Sequence, residues 1–153
     1  MIKAILAAVL LTCPAIAFAQ SQDVWADRFE KGIPILPDVF GAMTEGRSMT
    51  YSDGFADVYR EYYPPGTSAV ILRYIGAADN ECQTGTWRAE GDLVCFDWDM
   101  GATVCSGWVK HDGVVISQLF TDGQPDGDFE PISQFDETPI TCMLGMVGFE
   151  VAE

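Results

Sequence analysis

Of the five cysteines in this 153-residue chain, Cys13 lies within the segment read below as an export signal, and the other four, Cys82, Cys95, Cys105 and Cys142, constrain its chemistry most directly. Thiolates spaced for a metal and thiols paired as disulfides are the two readings open to them. No C-x-x-C occurs, and the single histidine, His111, is not within four residues of any cysteine, so the spacing fits no zinc site. An even set of four in an exported chain reads instead as two disulfides made in an oxidising compartment. With all four paired, no cysteine outside that export segment is left over as a nucleophile.

The remaining reactive side chains form no recognised catalytic pattern. His111 stands between Lys110 and Asp112-Gly113, and no G-x-S-x-G, H-E-x-x-H or P-loop pattern accompanies it. A histidine with no assigned nucleophile or acid partner reads as an exposed turn residue. Carboxylate pairs such as Asp97/Asp99 and Asp57/Glu61 are of the type that glycosidases use. With 23 Asp and Glu in the chain, such pairs arise by chance. The expectation is a protein that is not an enzyme.

The segment from Asp122 to Glu130 resembles the opening of a calcium-binding EF-hand loop, with Asp122 and Asp126 at positions one and five and Gly127 at six. The match then fails, because Gln124 occupies position three, Pro125 position four, and Ser133 position twelve, where a bidentate Glu is needed. Asp122, Asp126, Asp128 and Glu130 are the candidate ligands for a weakly held Ca2+, and a solvated acidic loop is the plainer reading. No other cofactor is expected.

Aromatic residues are the more informative feature. Tyr59, Tyr62, Tyr63, Trp87 and Trp108 all fall on expected strands and are the candidate ligand-contacting residues. Tyr59-Arg60-Glu61-Tyr62-Tyr63 places rings on both faces of one strand, so one face is a candidate binding patch. Rings half-buried at a barrel rim are the bland alternative.

The elements that must position these residues are mainly strands. From Arg47 onward, short runs rich in β-branched and aromatic residues alternate with turn residues every eight to twelve positions. The expected strands are Arg47 to Ser52, Phe55 to Tyr63, Thr67 to Tyr74, Gly85 to Ala89, Leu93 to Trp98, Thr103 to His111 and Val114 to Phe120, with Ile132 to Phe135 as an eighth. Turns at Ser52-Asp53-Gly54, Pro64-Pro65-Gly66, Glu90-Gly91-Asp92, Asp99-Met100-Gly101 and His111-Asp112-Gly113 join them as consecutive hairpins. The fold class is therefore all-β, an antiparallel meander closing into a small up-and-down barrel or a curled sandwich. If Asp99-Met100-Gly101 is a three-residue loop, Cys95 lies directly opposite Cys105, and a directly opposed pair is close enough to bridge. That leaves Cys82 to pair with Cys142.

Before the strands, residues 20–46 read as helical or irregular. Asp23 is placed to cap a short helix carrying Val24, Trp25 and Phe29 that ends at Gly32 and Pro34, and a second helix spans Asp38 to Thr44 with Val39, Phe40 and Met43 on one side. Residues 1–19 read as an export signal: Lys3, an apolar run from Ala4 to Leu11, and Ala17 and Ala19 framing a cleavage site. The run is too short to span a bilayer. The domain expectation is thus a signal peptide over 1–19, an N-terminal segment over 20–46 and a single β domain over 47–153, in a periplasmic or secreted protein.

A net charge of −15 argues against nucleic acid and anionic lipid as partners and favours cations or basic proteins. The stretch Gly85-Thr86-Trp87, then Gly91-Asp92-Leu93-Val94-Cys95-Phe96-x-Trp98, then Cys105 and Asp112-Gly113, resembles a pattern in small exported bacterial proteins whose G-x-W strand, G-D-x-x-C strand and following cysteine form a β-meander. That resemblance covers about a third of the chain beyond the export segment, implies the meander and the Cys95–Cys105 pairing, and brings no activity with it. Gly85-x-Trp87 is also similar to the G-x-W of lipocalins, which there opens the first barrel strand, whereas several strands precede it here. The functional expectation is a non-enzymatic barrel-like protein that binds a small ligand or a partner protein. An acidic inhibitor of a basic enzyme of the lysozyme type and a weak calcium binder are the alternatives.

Overall fold

A computed structural model describes residues 15–78 and 81–142. Residues 1–14 of the expected export segment and residues 143–153 of the expected β domain lie outside the described residues. Among the described residues are two helices, α1 (Ala15–Glu30) and α2 (Pro37–Thr44), and nine strands. The strands are β1 (Ile33–Pro34), β2 (Ser48–Ser52), β3 (Asp57–Tyr62), β4 (Ala69–Tyr74), β5 (Cys82–Glu90), β6 (Leu93–Trp98), β7 (Thr103–His111), β8 (Val114–Thr121) and β9 (Gln124–Asp136).

Strands β2 to β9 pair in sequence order, all antiparallel, and β9 returns to pair with β2. The result is a closed eight-stranded up-and-down barrel, which leaves its eight strands no free edge. Two-residue β1 lies outside this ring, pairing Ile33 with Lys110 and Pro34 with Val109 of β7. Hairpin turns follow from local residue choice: Asp112 and Gly113 take φ of 49° and 82°, and Asp122 and Gly123 take 51° and 73°, the left-handed pairs that match strand twist.

Alternation then sorts side chains between the interior and the outer surface. Val70 and Leu72, Val94 and Phe96, and Trp108 are buried, and Val104, Ser106 and Leu119 line the interior cavity described below. Gly85 is required by close packing rather than by its backbone angle. A Cβ there would lie 2.6 Å from the Asp97 carbonyl oxygen and 3.1 Å from Trp98, so the β5–β6 contact excludes any side chain.

Helix α2 plugs one end of the barrel. Phe40 is fully buried, with its ring centroid 4.9 Å from that of Trp108, 5.5 Å from Tyr63, 5.6 Å from Trp87 and 6.2 Å from Phe96. Val39, expected on the same face, is 52% exposed. The inward stripe is centred on Phe40 and Thr44, one turn apart, and Val39 falls off that stripe. Helix α1 packs outside the barrel, where Trp25, Ala26 and Phe29 meet Val109, Ile116 and Phe129. It starts at Ala15, eight residues before the expected cap, so Asp23 sits within the helix instead of capping it; the alanine-rich residues before it favour helix and extend it upstream.

Both expected disulfides form. Cys95 and Cys105 are register partners across β6 and β7, and Cys82 at the start of β5 holds Cys142 with Cα atoms 6.0 Å apart. The chain-entropy model gives about 3 kcal/mol for the short loop and about 4 kcal/mol for the long one. Two structural disulfides indicate an oxidising, extracytoplasmic compartment. No described helix is long and apolar enough to cross a membrane.

Candidate functional site

The barrel interior is not filled. Away from the α2 plug, a cavity of about 300 Å3 reaches toward the end formed by the β2–β3, β4–β5, β6–β7 and β8–β9 connections. Its walls carry Tyr51, Tyr59, Tyr74, Phe96, Trp98 and Trp108, with Leu72, Val104 and Leu119 between the rings. Ligand pockets have this composition, mostly apolar with a few convergent polar groups, and this one lies at the small end of their size range.

Two of the polar groups are carboxylates. Glu61, on β3 between Tyr59 and Tyr63, is 4% exposed and points into the barrel. Tyr51 and Tyr63 each donate a phenolic hydrogen bond to its Oε2 at 2.5 Å. Glu130 of β9 is half-buried, and its Oε2 accepts from the Tyr59 hydroxyl at 2.8 Å and from Ser117 Oγ at 3.4 Å. The rings of Tyr51 and Tyr59 stack with centroids 4.3 Å apart, so one stacked pair holds both carboxylates.

Burial dominates the electrostatics. It pushes Glu61 up from 4.5 to about 7, against the two phenol hydrogen bonds, which favour the charged form, and with a further rise from Glu130. Burial also raises Glu130, opposed by its hydrogen bonds from Tyr59 and Ser117. Tyr51, Tyr59 and Tyr63 are all held well above the ordinary tyrosine value, first by burial and then by the negative charge of Glu61. The three phenols therefore remain donors at neutral pH.

The aromatic candidates divide among four places. Tyr59 and Trp108 line the cavity, Tyr63 holds Glu61, and Trp87 packs against Phe40 at the plugged end. Tyr62 alternates to the outer side of β3, where it is half-buried. The structure thus does not gather these five rings into one surface patch.

The acidic segment after Asp122 is not a loop. Asp122-Gly123 is a two-residue turn, and Gln124 already pairs with Thr121 as the start of β9. Beyond a register shift between Gln118 and Phe120, Glu130 lines the cavity, whereas Asp126 and Asp128 are exposed. Among the described residues, only Glu90, Cys95 and Cys105 bring three ligand atoms of metal-binding type within 4.8 Å, and their two sulfurs are joined as a disulfide. The four carboxylates considered for calcium do not converge.

The other carboxylate pairs also separate. Asp57 is exposed and accepts from Ser133 Oγ at 2.6 Å, while Glu61 is inside. A register shift between Tyr51 and Ser52 changes the alternation between them. Asp97 pairs with Arg88 on the outer surface, and Asp99 accepts from Thr84 there. His111 lies at a hairpin end, 3.2 Å from Asp112.

Tyr51, Glu61 and Glu130 were not singled out together from the sequence. A signal for Glu61 was present, because alternation puts it in phase with Tyr59 and Tyr63, as a charged residue in an apolar row. Glu130 is likewise in phase with the buried Ile132 on β9, a signal hidden because the expected eighth strand began only at Ile132. No family profile matches this chain, and no curated protein and no solved structure shows significant similarity to it.

Proposed function

We propose that this protein is an exported, non-enzymatic binder that takes a small ligand into the open end of its barrel. The observation that carries this reading is the cavity of about 300 Å3, walled by aromatic rings and furnished with two inward carboxylates. A space of this kind inside an otherwise close-packed protein forgoes packing energy, and a ligand restores it. Its rim fits the role, because Phe55, Tyr74, Ile75 and Met100, between 49% and 71% exposed, all belong to connections or strand ends at the open end. Periplasmic or secreted localisation follows from joining the disulfides to the export signal read at residues 1–19.

Native mass spectrometry of the protein isolated from its own extracytoplasmic compartment tests this. A retained small-molecule mass is expected, absent from an Ala102→Trp variant in which the indole occupies the cavity mouth. A bare mass, together with failure of the wild type to bind the neutral apolar dye N-phenyl-1-naphthylamine, would sink the reading.

A further inference from the structure

We propose, resting on the binding reading above, that the ligand is an organic cation: an ammonium group seated at Glu61 and Glu130, on an apolar body that lies against the cavity rings and carries an oxygen acceptor for Trp108. The charge count inside the barrel is the first support. Two carboxylates face the cavity, and no Lys, Arg or His is among its described lining residues. Buried carboxylates ordinarily meet a cation or several hydrogen-bond donors. Here each Oε2 takes two hydroxyl donors, and among the described residues neither Glu61 nor Glu130 has an ion-pair partner. An ammonium group brings the missing charge and up to three donors.

Trp108 supplies a second, independent observation. It is 3% exposed and lines the same cavity, and its indole N–H has no hydrogen-bond partner among the described residues. A buried donor left unpaired costs free energy, which a hydroxyl or carbonyl oxygen on the ligand would recover. The rings add selectivity of the same sign. Aromatic faces attract a cation through their quadrupoles, while an anion in this cavity meets both carboxylates.

The test compares three probes of one shape by isothermal titration on the disulfide-bonded mature protein at pH 8: tyramine, the neutral 4-ethylphenol and the anionic 3-(4-hydroxyphenyl)propionate. Tyramine is expected to bind at least about 10-fold tighter than 4-ethylphenol, the size of one charge-assisted hydrogen bond, and the propionate not to bind. Glu130→Gln is expected to reduce that preference, since Glu61 alone then faces the ammonium. If Glu130→Gln fails to fold, the wild-type ranking of the three probes decides alone. Binding of N-phenyl-1-naphthylamine, lost in Ala102→Trp, monitors the cavity separately. Dye binding with 4-ethylphenol or the propionate equal to tyramine, or with no tyramine binding, overturns the cation and leaves the binding reading standing. No binding of the dye or of any probe overturns both.

Discussion

Replacing Glu61 by Gln removes an ionisable group from the barrel interior while keeping its volume and an oxygen for the Tyr51 and Tyr63 hydroxyls to bond. Burial lifts the folded-state value to about 7 from the ordinary 4.5, so between these limits the folded protein keeps a proton that the unfolded chain has released. Stability from this group is therefore fully present below about pH 4.5, falls as pH rises, and is gone above about pH 7. That interval of about 2.5 pH units, at about 1.4 kcal/mol each, makes the loss about 3 kcal/mol. The assay is urea unfolding followed by tryptophan fluorescence at several pH values from 4.5 to 8, for wild type and Glu61→Gln side by side. The difference between them should shift by about 3 kcal/mol in favour of the variant across this range. Asp53, Asp97 and Asp136, whose values are lowered, lose their stabilisation only as pH falls below the ordinary 3.8, outside the window. Parallel pH profiles for the two proteins would refute the assignment of Glu61 as a buried carboxyl protonated in the folded state.

The remaining predictions test packing and covalent ties. Phe40→Ala should cost about 3 to 5 kcal/mol in the same unfolding assay, because a fully buried ring in contact with four others leaves a cavity at the plug. Gly85→Ala should destabilise by about 1 to 3 kcal/mol, since the added Cβ meets the immobile Asp97 carbonyl; an unchanged midpoint would show that β5 and β6 can part at no cost. Removing Cys82–Cys142 by double serine substitution should lower stability by about 4 kcal/mol, and removing Cys95–Cys105 by about 3, the order following loop length. Exchanging chelator for millimolar Ca2+ should leave the Tm unchanged, because Asp122, Asp126, Asp128 and Glu130 do not converge; a rise of several degrees would restore the calcium reading.

Much of the barrel was decided locally. Val94-x-Phe96-x-Trp98 and Val104-x-Ser106-x-Trp108 alternate with a period of two, and Gly101 at φ 88° closes the loop between them, so the Cys95–Cys105 pairing follows from about eleven residues. Leu93–Trp98 and Thr103–His111 end where the sequence signals place them. Alternation defines two faces of a strand, but not which one becomes the interior or where the phase changes. Those choices belong to closure. Register shifts lie at Tyr51/Ser52 in the β2–β3 pair, at Thr50/Tyr51 in the β2–β9 pair and at Gln118/Phe120 in the β8–β9 pair, and the first separates Asp57 from Glu61. Docking of Phe40 then seals one end and leaves the other open. The sequence by itself therefore determined most of the strands, the hairpin turns and the Cys95–Cys105 bridge, because each rests on residues close along the chain, while Cys82–Cys142, 60 residues apart, followed only by elimination. Only the tertiary structure decided that two carboxylates share one aromatic cavity, because their meeting depends on long-range register.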